Sequence, residues 1–295
     1  MSEIKDYVWE HKFRPKTLKD IILPQDYRNF FNKIIESGAS TNLILASTTP
    51  GTGKSTLALA IANDLDAETL FINASDENGI DTIREKIVGF ATSMSFNEKQ
   101  KIVILDEADG LTPNAQDSLR SYIDKFQDNC RFILTCNHIA KIIPALQEDG
   151  GRTMVFAFDM KKPEYQEELK VQILKRMCGI LRFEKIPYEE ESIKKLIEKQ
   201  YPSILSIMTI LQKYSIMKGK IDYNVVEYAN IAIELADFVL NRKLGEARKY
   251  ITEHCLSHTD VFRFFMEHVV PDQRVKNKGE WILNIAQYEY QANLS

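Results

Sequence analysis

Residues 43–56 read Leu-Ile-Leu-Ala-Ser-Thr-Thr-Pro-Gly-Thr-Gly-Lys-Ser-Thr. Its first four residues are apolar and predict a buried strand, and the apolar spacing of Leu57 to Leu65 predicts a helix that follows. A strand, a glycine-containing loop that ends in Gly-Lys-Ser and a helix are together typical of a phosphate-binding loop. Thr48 stands where such a loop usually has its first glycine, so a glycine-rich turn before an ordinary helix is the alternative.

The residue types in this loop suit the binding of a nucleoside triphosphate. Gly51 and Gly53 allow backbone N–H groups to turn toward phosphate oxygens, and the N-terminus of the helix adds the positive end of its dipole. Lys54 would reach the β- and γ-phosphates, and the Ser55 hydroxyl would bind Mg²⁺.

Two further strands end in polar residues that fit the same site. The apolar run Ile102 to Leu105 delivers Asp106 and Glu107 at its carboxyl end, where open α/β sheets bind ligands. Asp106 would hold Mg²⁺ through water, and Glu107 could polarise the water that attacks the γ-phosphate. Asn137 follows the strand Phe132 to Cys136 and could hydrogen-bond the γ-phosphate or that water. The alternatives are a strand merely capped by acids and a turn asparagine, but together the three strand ends predict a Mg²⁺-dependent ATPase.

The order of the apolar runs predicts an α/β domain over residues 1–159. Their continuous apolarity suits strands of a parallel sheet that helices cover on both faces. The five runs are Leu43 to Ala46, Leu70 to Asn73, Ile102 to Leu105, Phe132 to Cys136 and Thr153 to Phe158. Beyond them, helical spacing from Glu164 to Arg182 and onward predicts a small helical domain over residues 160–222. A separate helical unit is predicted over residues 223–295, with a loop at Lys276 to Gly279.

Charge and composition limit how the protein could contact nucleic acid and where it could reside, but they do not indicate an activity. The 295 residues include 38 Lys and Arg against 42 Asp and Glu, a formal net charge of −4, so any contact with nucleic acid must come from a local basic patch. The four cysteines lie far apart, and we expect them to be free thiols in a reducing compartment. The first residues lack the apolar stretch of a signal peptide, and no apolar run approaches the ~20 residues of a membrane helix. We therefore expect a cytoplasmic protein with no membrane partner.

Five sequence segments together resemble one family, the ATPase subunits of sliding-clamp loaders, which form the replication factor C-like branch of the AAA+ proteins. The compact length and Thr48 are most similar to the large subunits of T-even-like bacteriophage clamp loaders. The segments are Trp-Glu-His-Lys-Phe-Arg-Pro at 9–15, Pro-Gly-Thr-Gly-Lys-Ser at 50–55, Ala-Ser-Asp-Glu-Asn-Gly-Ile-Asp-Thr-Ile-Arg at 74–84, Asp-Glu-Ala-Asp at 106–109 and Arg-Phe-Ile-Leu-Thr-Cys-Asn at 131–137.

The resemblance implies roles for residues that spacing alone does not assign. Asn137 would be the sensor-1 residue, Arg84 with Lys86 would contact DNA phosphates, and Gln116 with Arg120 would relay DNA contact to Glu107. The resemblance also implies that the residues in contact with ATP are Glu10, His11, Lys12, Phe13, Ile22, Gly51, Thr52, Gly53, Lys54, Ser55 and Thr56.

Two departures from the family pattern concern cations. Arg152 is the candidate for the arginine that reaches the ATP of a neighbouring subunit, although its register is shifted, and a plain arginine at the start of a strand is the alternative. Leu205 stands where the helical lid of the family usually has the sensor-2 arginine. The lid would then sense ATP through packing or through another cation.

The resemblance implies an ATP-dependent subunit that loads a ring-shaped sliding clamp onto primer-template DNA. Residues 160–222 would be the lid and residues 223–295 the collar through which several copies and a related subunit assemble. DNA would stimulate ATP hydrolysis, and a viral protein of this kind would act in the host cytoplasm. The alternatives are an AAA+ assembly scaffold that hydrolyses ATP weakly and a helicase-loading or remodelling AAA+ ATPase.

Overall fold

The structure is a computed structural model that describes residues 7–38, 41–75, 80–93, 99–147, 153–253, 261–262, 265–270, 272, 275 and 277–292. The chain divides into two compact units. The first unit comprises Met1–Lys185 and Ile197–Gln212, and the second comprises Ile186–Leu196 and Lys213–Ser295. The predicted division into three domains stays a prediction.

In the described residues, five strands form one parallel sheet in the order β2-β3-β4-β1-β5. The strands are β1 (Leu43–Ala46), β2 (Glu68–Asn73), β3 (Lys101–Asp106), β4 (Cys130–Cys136) and β5 (Met154–Ala157). The three inner strands are almost wholly buried, because helices cover both faces of a parallel sheet. The α/β fold with a five-stranded parallel sheet is thus confirmed.

Helices of the first unit connect and cover these strands, and further helices form the second unit. They are α1 (Trp9–Lys12), α2 (Gln25–Glu36), α3 (Lys54–Asp64), α4 (Ile80–Thr92), α5 (Pro113–Lys125), α6 (Pro144–Gln147), α7 (Pro163–Phe183), α8 (Glu190–Gln200), α9 (Ile204–Lys218), α10 (Asn224–Leu240), α11 (Leu244–Glu253) and α12 (Lys278–Ala292). Among the described segments, none combines the length and the apolar character that a membrane-crossing helix requires.

Two helices show why the sequence folds in this way around the site. Helix α3 begins at Lys54, directly after Gly53, and buries small and branched apolar residues against the sheet. Helix α7 begins with Pro163 at its first position, which suits a residue without a backbone N–H. It buries Leu169, Ile173 and Met177 at four-residue intervals, so these three residues share one buried face of the helix.

The second unit has its own apolar core, which includes Leu235, Val239, Tyr250 and Val269. This helical content agrees with the predicted helical C-terminal region. The predicted loop at Lys276 to Gly279 is corrected in part, because Lys278 and Gly279 form the start of α12. Position 276 lies outside the described residues.

Candidate nucleotide-binding site

A cavity of about 370 Å³ opens at the carboxyl ends of the inner strands of the first unit. This edge of an α/β sheet is where ligands bind, because the loops after the strands diverge there. The residues that line the cavity include Glu10, Phe13, Arg14, Ile22, Gly51, Thr52, Gly53, Lys54, Ser55, Thr56, Asp106, Glu107, Thr135, Asn137, Arg176, Met177, Leu205 and Met208.

The loop between β1 and α3 has the backbone that a phosphate-binding loop needs. Gly51 and Gly53 adopt φ angles of +72° and +99°, a region that residues with a Cβ rarely enter. Helix α3 starts immediately after Gly53, so its unpaired N–H groups and the positive end of its dipole face the cavity. The loop is therefore built to accept an anion.

Lys54 places a largely buried ammonium among neutral oxygen atoms. Its Nζ donates to Oδ1 of Asn137 at 2.8 Å and lies 3.3 Å from the carbonyl oxygen of Thr49, while only 8% of the residue is exposed. Burial lowers the pKa of this ammonium, an effect that the carboxylates of Asp106 and Asp109 oppose. Lys54 forms no direct ion pair within the described part of the chain. A buried cation of this kind gains most from a bound anion, and a triphosphate would supply one.

Ser55 and Asp106 bring together oxygen atoms of the kind that Mg²⁺ prefers. The Ser55 hydroxyl donates to Oδ1 of Asp106 at 2.5 Å, and the same oxygen accepts a bond of 2.7 Å from the Thr135 hydroxyl. A hydroxyl and a carboxylate beside a triphosphate site fit an ion that is held partly by phosphate oxygens and water. Both residues predicted to hold the metal thus lie at one point of the cavity.

Glu107 follows Asp106 with a left-handed backbone, at a φ of +55°. Glu107 is exposed and lines the cavity, and its backbone N–H donates to the Thr135 hydroxyl at 3.1 Å. Asn137 also lines the cavity, and its backbone N–H donates to Asp109 Oδ2 at 3.3 Å. The three predicted strand ends therefore meet at one site.

The N-terminal segment covers another side of the cavity, with a difference from the predicted set. Glu10, Phe13 and Ile22 line the cavity, but His11 and Lys12 do not, because they lie on the outer side of helix α1. The Lys12 ammonium pairs instead with Glu184 at 2.6 Å. For His11 and Lys12, contact with the nucleotide rests on the family motif alone.

Arg176 is a cavity residue that the sequence analysis missed. It lies on α7, lines the cavity, and donates from Nη2 to the carbonyl oxygen of Phe13 at 2.6 Å. No motif marks it, because its position near the cavity arises only when α7 packs beside the N-terminal segment. Arg14, Thr135 and Met208 also line the cavity without having been predicted as site residues.

The apolar residue at the predicted sensor-2 position also faces this cavity. Leu205 lines it, and its backbone N–H donates to the carbonyl oxygen of Gly51 at 3.3 Å. Helix α9 thus contacts the phosphate-binding loop directly through its backbone. Among the described residues that line the cavity, the cations are Arg14, Lys54 and Arg176.

The remaining predicted residues lie away from the cavity or outside the described residues. Arg84 and Lys86 are exposed on α4. Gln116 is buried on α5, where its amide bonds the backbone at Leu111, Lys141 and Ile143 and does not contact Glu107. Arg120 is half-buried on the same helix. Arg152 lies outside the described residues.

Comparisons with known proteins agree with this geometry. The family described as "ATPase family associated with various cellular activities (AAA)" matches residues 44–159. The "Thermotoga maritima RuvB Holliday junction branch migration motor" superposes with a TM-score of 0.55 at 16% identity, over 77% of this chain and 79% of that one. At this identity the likeness shows the fold alone. The family match over residues 44–159 gives the class of this domain, an AAA ATPase domain.

Sequence relatives give the family within that class. "Replication factor C subunit 5" of Homo sapiens is 35% identical over 269 residues, which cover 85% of this chain and 75% of the relative. The "Sliding-clamp-loader large subunit" of Enterobacteria phage T4 is 34% identical over 225 residues, which cover 75% of this chain and 69% of the relative. The chain belongs to the clamp-loader family of AAA+ ATPases, which includes the replication factor C subunits.

Proposed function

We propose that this chain is an ATPase subunit that loads a ring-shaped sliding clamp onto primer-template DNA during replication. The observation that carries the ATPase assignment is the meeting of Lys54, Asp106 and Asn137 at one cavity behind a phosphate-binding loop. Membership of the clamp-loader family supports the coupling of that ATPase to a clamp.

ATP binding uses groups that already face the cavity. The amides around Gly53 and the Lys54 ammonium bind the phosphates, while Phe13 and Ile22 offer apolar surface to the adenine. Ser55 and Asp106 would hold Mg²⁺, which would supply positive charge beside the phosphates.

Hydrolysis uses Glu107 and Asn137. The Glu107 carboxylate accepts a proton from the attacking water, and the Asn137 amide orients that water or the γ-phosphate. Lys54 stabilises the charge that develops on the transferred phosphoryl group, because its ammonium is positively charged. The same ammonium lies within hydrogen-bonding distance of the Asn137 amide oxygen.

The helical regions and the remaining basic residues serve assembly and contact with DNA. Residues 160–222 act as the lid, and residues 223–295 act as the collar that joins copies of this chain to a related subunit. Arg152 of each copy completes the ATP site of its neighbour. Arg84 and Lys86, both exposed on α4, contact the DNA backbone, which positions DNA without reading its sequence.

Phosphate release tests the proposal directly. The rate is measured for the complex of the chain with its partner subunits under three conditions. These are the complex without additions, the complex with a primed oligonucleotide, and the complex with both the primed oligonucleotide and the clamp. We expect each addition to raise the rate. Glu107→Gln should bind ATP normally and hydrolyse it at least about 100-fold more slowly, while the exposed control Glu198→Gln should match the wild type. Equal turnover by wild type and Glu107→Gln would refute the catalytic assignment.

A second candidate function is a nucleotide-binding assembly scaffold that hydrolyses ATP weakly. The apolar Leu205 beside the phosphate-binding loop supports it, because a lid without an arginine there stabilises less charge at the γ-phosphate. A scaffold would assemble with ATP yet show no increase in phosphate release on addition of primed DNA and clamp. The same assay therefore separates the two functions.

A further inference from the structure

Thr135 is a buried hydroxyl at the centre of the site to which no role is yet assigned. It lies on β4, next to β3, and only 2% of the residue is exposed. In the parallel register Leu105 lies opposite Leu134, so the next residue of each strand, Asp106 and Thr135, are neighbours. Thr135 therefore sits beside the acidic pair for reasons of strand register.

The Thr135 hydroxyl is used as both donor and acceptor. Its hydrogen goes to Oδ1 of Asp106 at 2.7 Å, and its oxygen accepts the backbone N–H of Glu107 at 3.1 Å. A hydroxyl has one hydrogen to give, so the bond to Asp106 sets its direction and turns a lone pair toward Glu107. One side chain thus links the carboxylate of one acid to the backbone of the next.

The backbone of Glu107 needs such an anchor. Its φ of +55° is in the left-handed region that side chains with a Cβ disfavour, and such conformations persist only where surrounding contacts hold them. The carbonyl oxygen of Glu107 is also held, by the N–H of Gly110 at 2.9 Å. The bond that the Glu107 N–H donates to Thr135 fixes the other end of the residue, at a position that lines the cavity.

We propose that Thr135 is a positioning residue for ATP hydrolysis: its hydroxyl holds the backbone of Glu107 so that the carboxylate faces the attacking water. The inference rests on the proposed role of Glu107 as the general base. Thr135 acts through Glu107, and it leaves the binding of the phosphates to Lys54 and the loop.

Thr135→Val removes the hydroxyl and keeps the branched shape, and Thr135→Ser keeps the hydroxyl. In the assembled complex with primed DNA and clamp, Thr135→Val should lower kcat roughly 10- to 100-fold, the range that follows from leaving the backbone N–H of Glu107 without its hydrogen-bond partner. The KM for ATP should stay within about threefold, and Thr135→Ser should recover most of the lost rate. Thr69→Val, an exposed position on β2 whose hydroxyl bonds the carbonyl oxygen of Ala67, is the matched control.

A double-mutant cycle with Glu107→Gln shows whether Thr135 acts through Glu107. If it does, Thr135→Val should slow single-turnover hydrolysis in the wild-type background and change it less than about twofold in the Glu107→Gln background. Equal slowing in both backgrounds would overturn the inference. A second result would also overturn the inference: in Thr135→Val, the Mg²⁺ concentration that gives half-maximal activity rises by as large a factor as kcat falls. The hydroxyl would then act through Asp106.

The experiment separates failure of the inference from failure of the proposed function. If Glu107→Gln hydrolyses ATP like the wild type, the role of Glu107 is wrong and the inference falls with it. If Glu107→Gln is slow and Thr135→Val is as fast as the wild type, only the inference is overturned. Should Thr135→Val not fold, Thr135→Ala removes the same hydroxyl with less bulk and takes its place in each comparison.

Discussion

Gly51→Ala tests whether helix α9 rests on the phosphate-binding loop. A methyl group added at Gly51 would lie 2.6 Å from the Ser203 Oγ and 3.2 Å from the Leu205 Cβ. Ser203 cannot turn away freely, because its Oγ accepts the N–H of Ser206 at 3.2 Å and caps α9. The added methyl group therefore meets a side chain that already has a structural role.

The structure gives two contributions to the cost. Alanine at a φ of +72° costs about 1–2 kcal/mol in the left-handed region. Displacing the cap costs about 1 kcal/mol more. We expect Gly51→Ala to lower the free energy of unfolding of the first unit by about 2–3 kcal/mol, the sum of these two contributions.

Ser203→Gly is the partner substitution, because glycine replaces a capping serine at a cost of only a few tenths of a kcal/mol. In the Gly51→Ala background it should restore about 1 kcal/mol by relieving the clash. Gly53→Ala is the control, since its φ is also positive but a Cβ there meets nothing within 4 Å. Ser203→Gly should restore nothing in that background.

Urea unfolding followed by tryptophan fluorescence measures these differences. Trp9 is buried in the first unit, and a Trp281→Phe background leaves it as the one tryptophan of the chain. The reasoning is refuted if Gly51→Ala and Ser203→Gly are additive to within about 0.3–0.5 kcal/mol. It is refuted equally if Gly51→Ala is as stable as the wild type.

Three further predictions concern single side chains. Lys54→Ala should lower ATP affinity at least about 100-fold in a fluorescent-nucleotide titration, because a buried phosphate-binding cation is lost. Unchanged affinity would contradict the proposal that Lys54 binds the phosphates of ATP. Gln116→Leu should cost about 2–3 kcal/mol in urea unfolding, because it leaves backbone groups such as the Ile143 N–H without partners; a loss below ~0.5 kcal/mol would contradict this. Burial raises the pKa of Cys130 to about 11 and that of Cys136 to about 12, so both thiols are neutral at pH 8. In a background with Cys178→Ser and Cys255→Ser, Cys130 and Cys136 are the two thiols that remain. Iodoacetamide at that pH should label neither until urea unfolds the chain, and rapid labelling of the folded protein would contradict this prediction.

The acidic pair at 106 and 107 illustrates how much of the site local sequence predicts. Asp106 and Glu107 follow an uninterrupted apolar run, and such runs are buried strands whose carboxyl ends share one edge of a parallel sheet. The glycines at 51 and 53 are needed because the loop turns through positive φ angles. These features depend on neighbours in the sequence, so they were predictable.

Strand ends were less predictable than strand existence. Strand β2 begins at Glu68, two residues before the predicted Leu70, and β5 omits the predicted Thr153 and Phe158. Both strands lie at an edge of the sheet, where residues such as Phe71 remain exposed. Hydrogen bonding to a neighbouring strand sets the length of an edge strand, and apolar periodicity does not report it.

Apolar periodicity and local backbone chemistry were thus enough to predict the α/β class, the phosphate-binding loop and the acidic pair. Three contacts depend instead on how distant segments pack: Thr135 links Asp106 to Glu107, Arg176 bonds the N-terminal segment beside the cavity, and Leu205 contacts the loop. The difference lies in the range of the interactions. A strand or a turn is favoured by residues a few positions apart, whereas each of these contacts joins residues at least 28 positions apart that only packing brings within hydrogen-bonding distance.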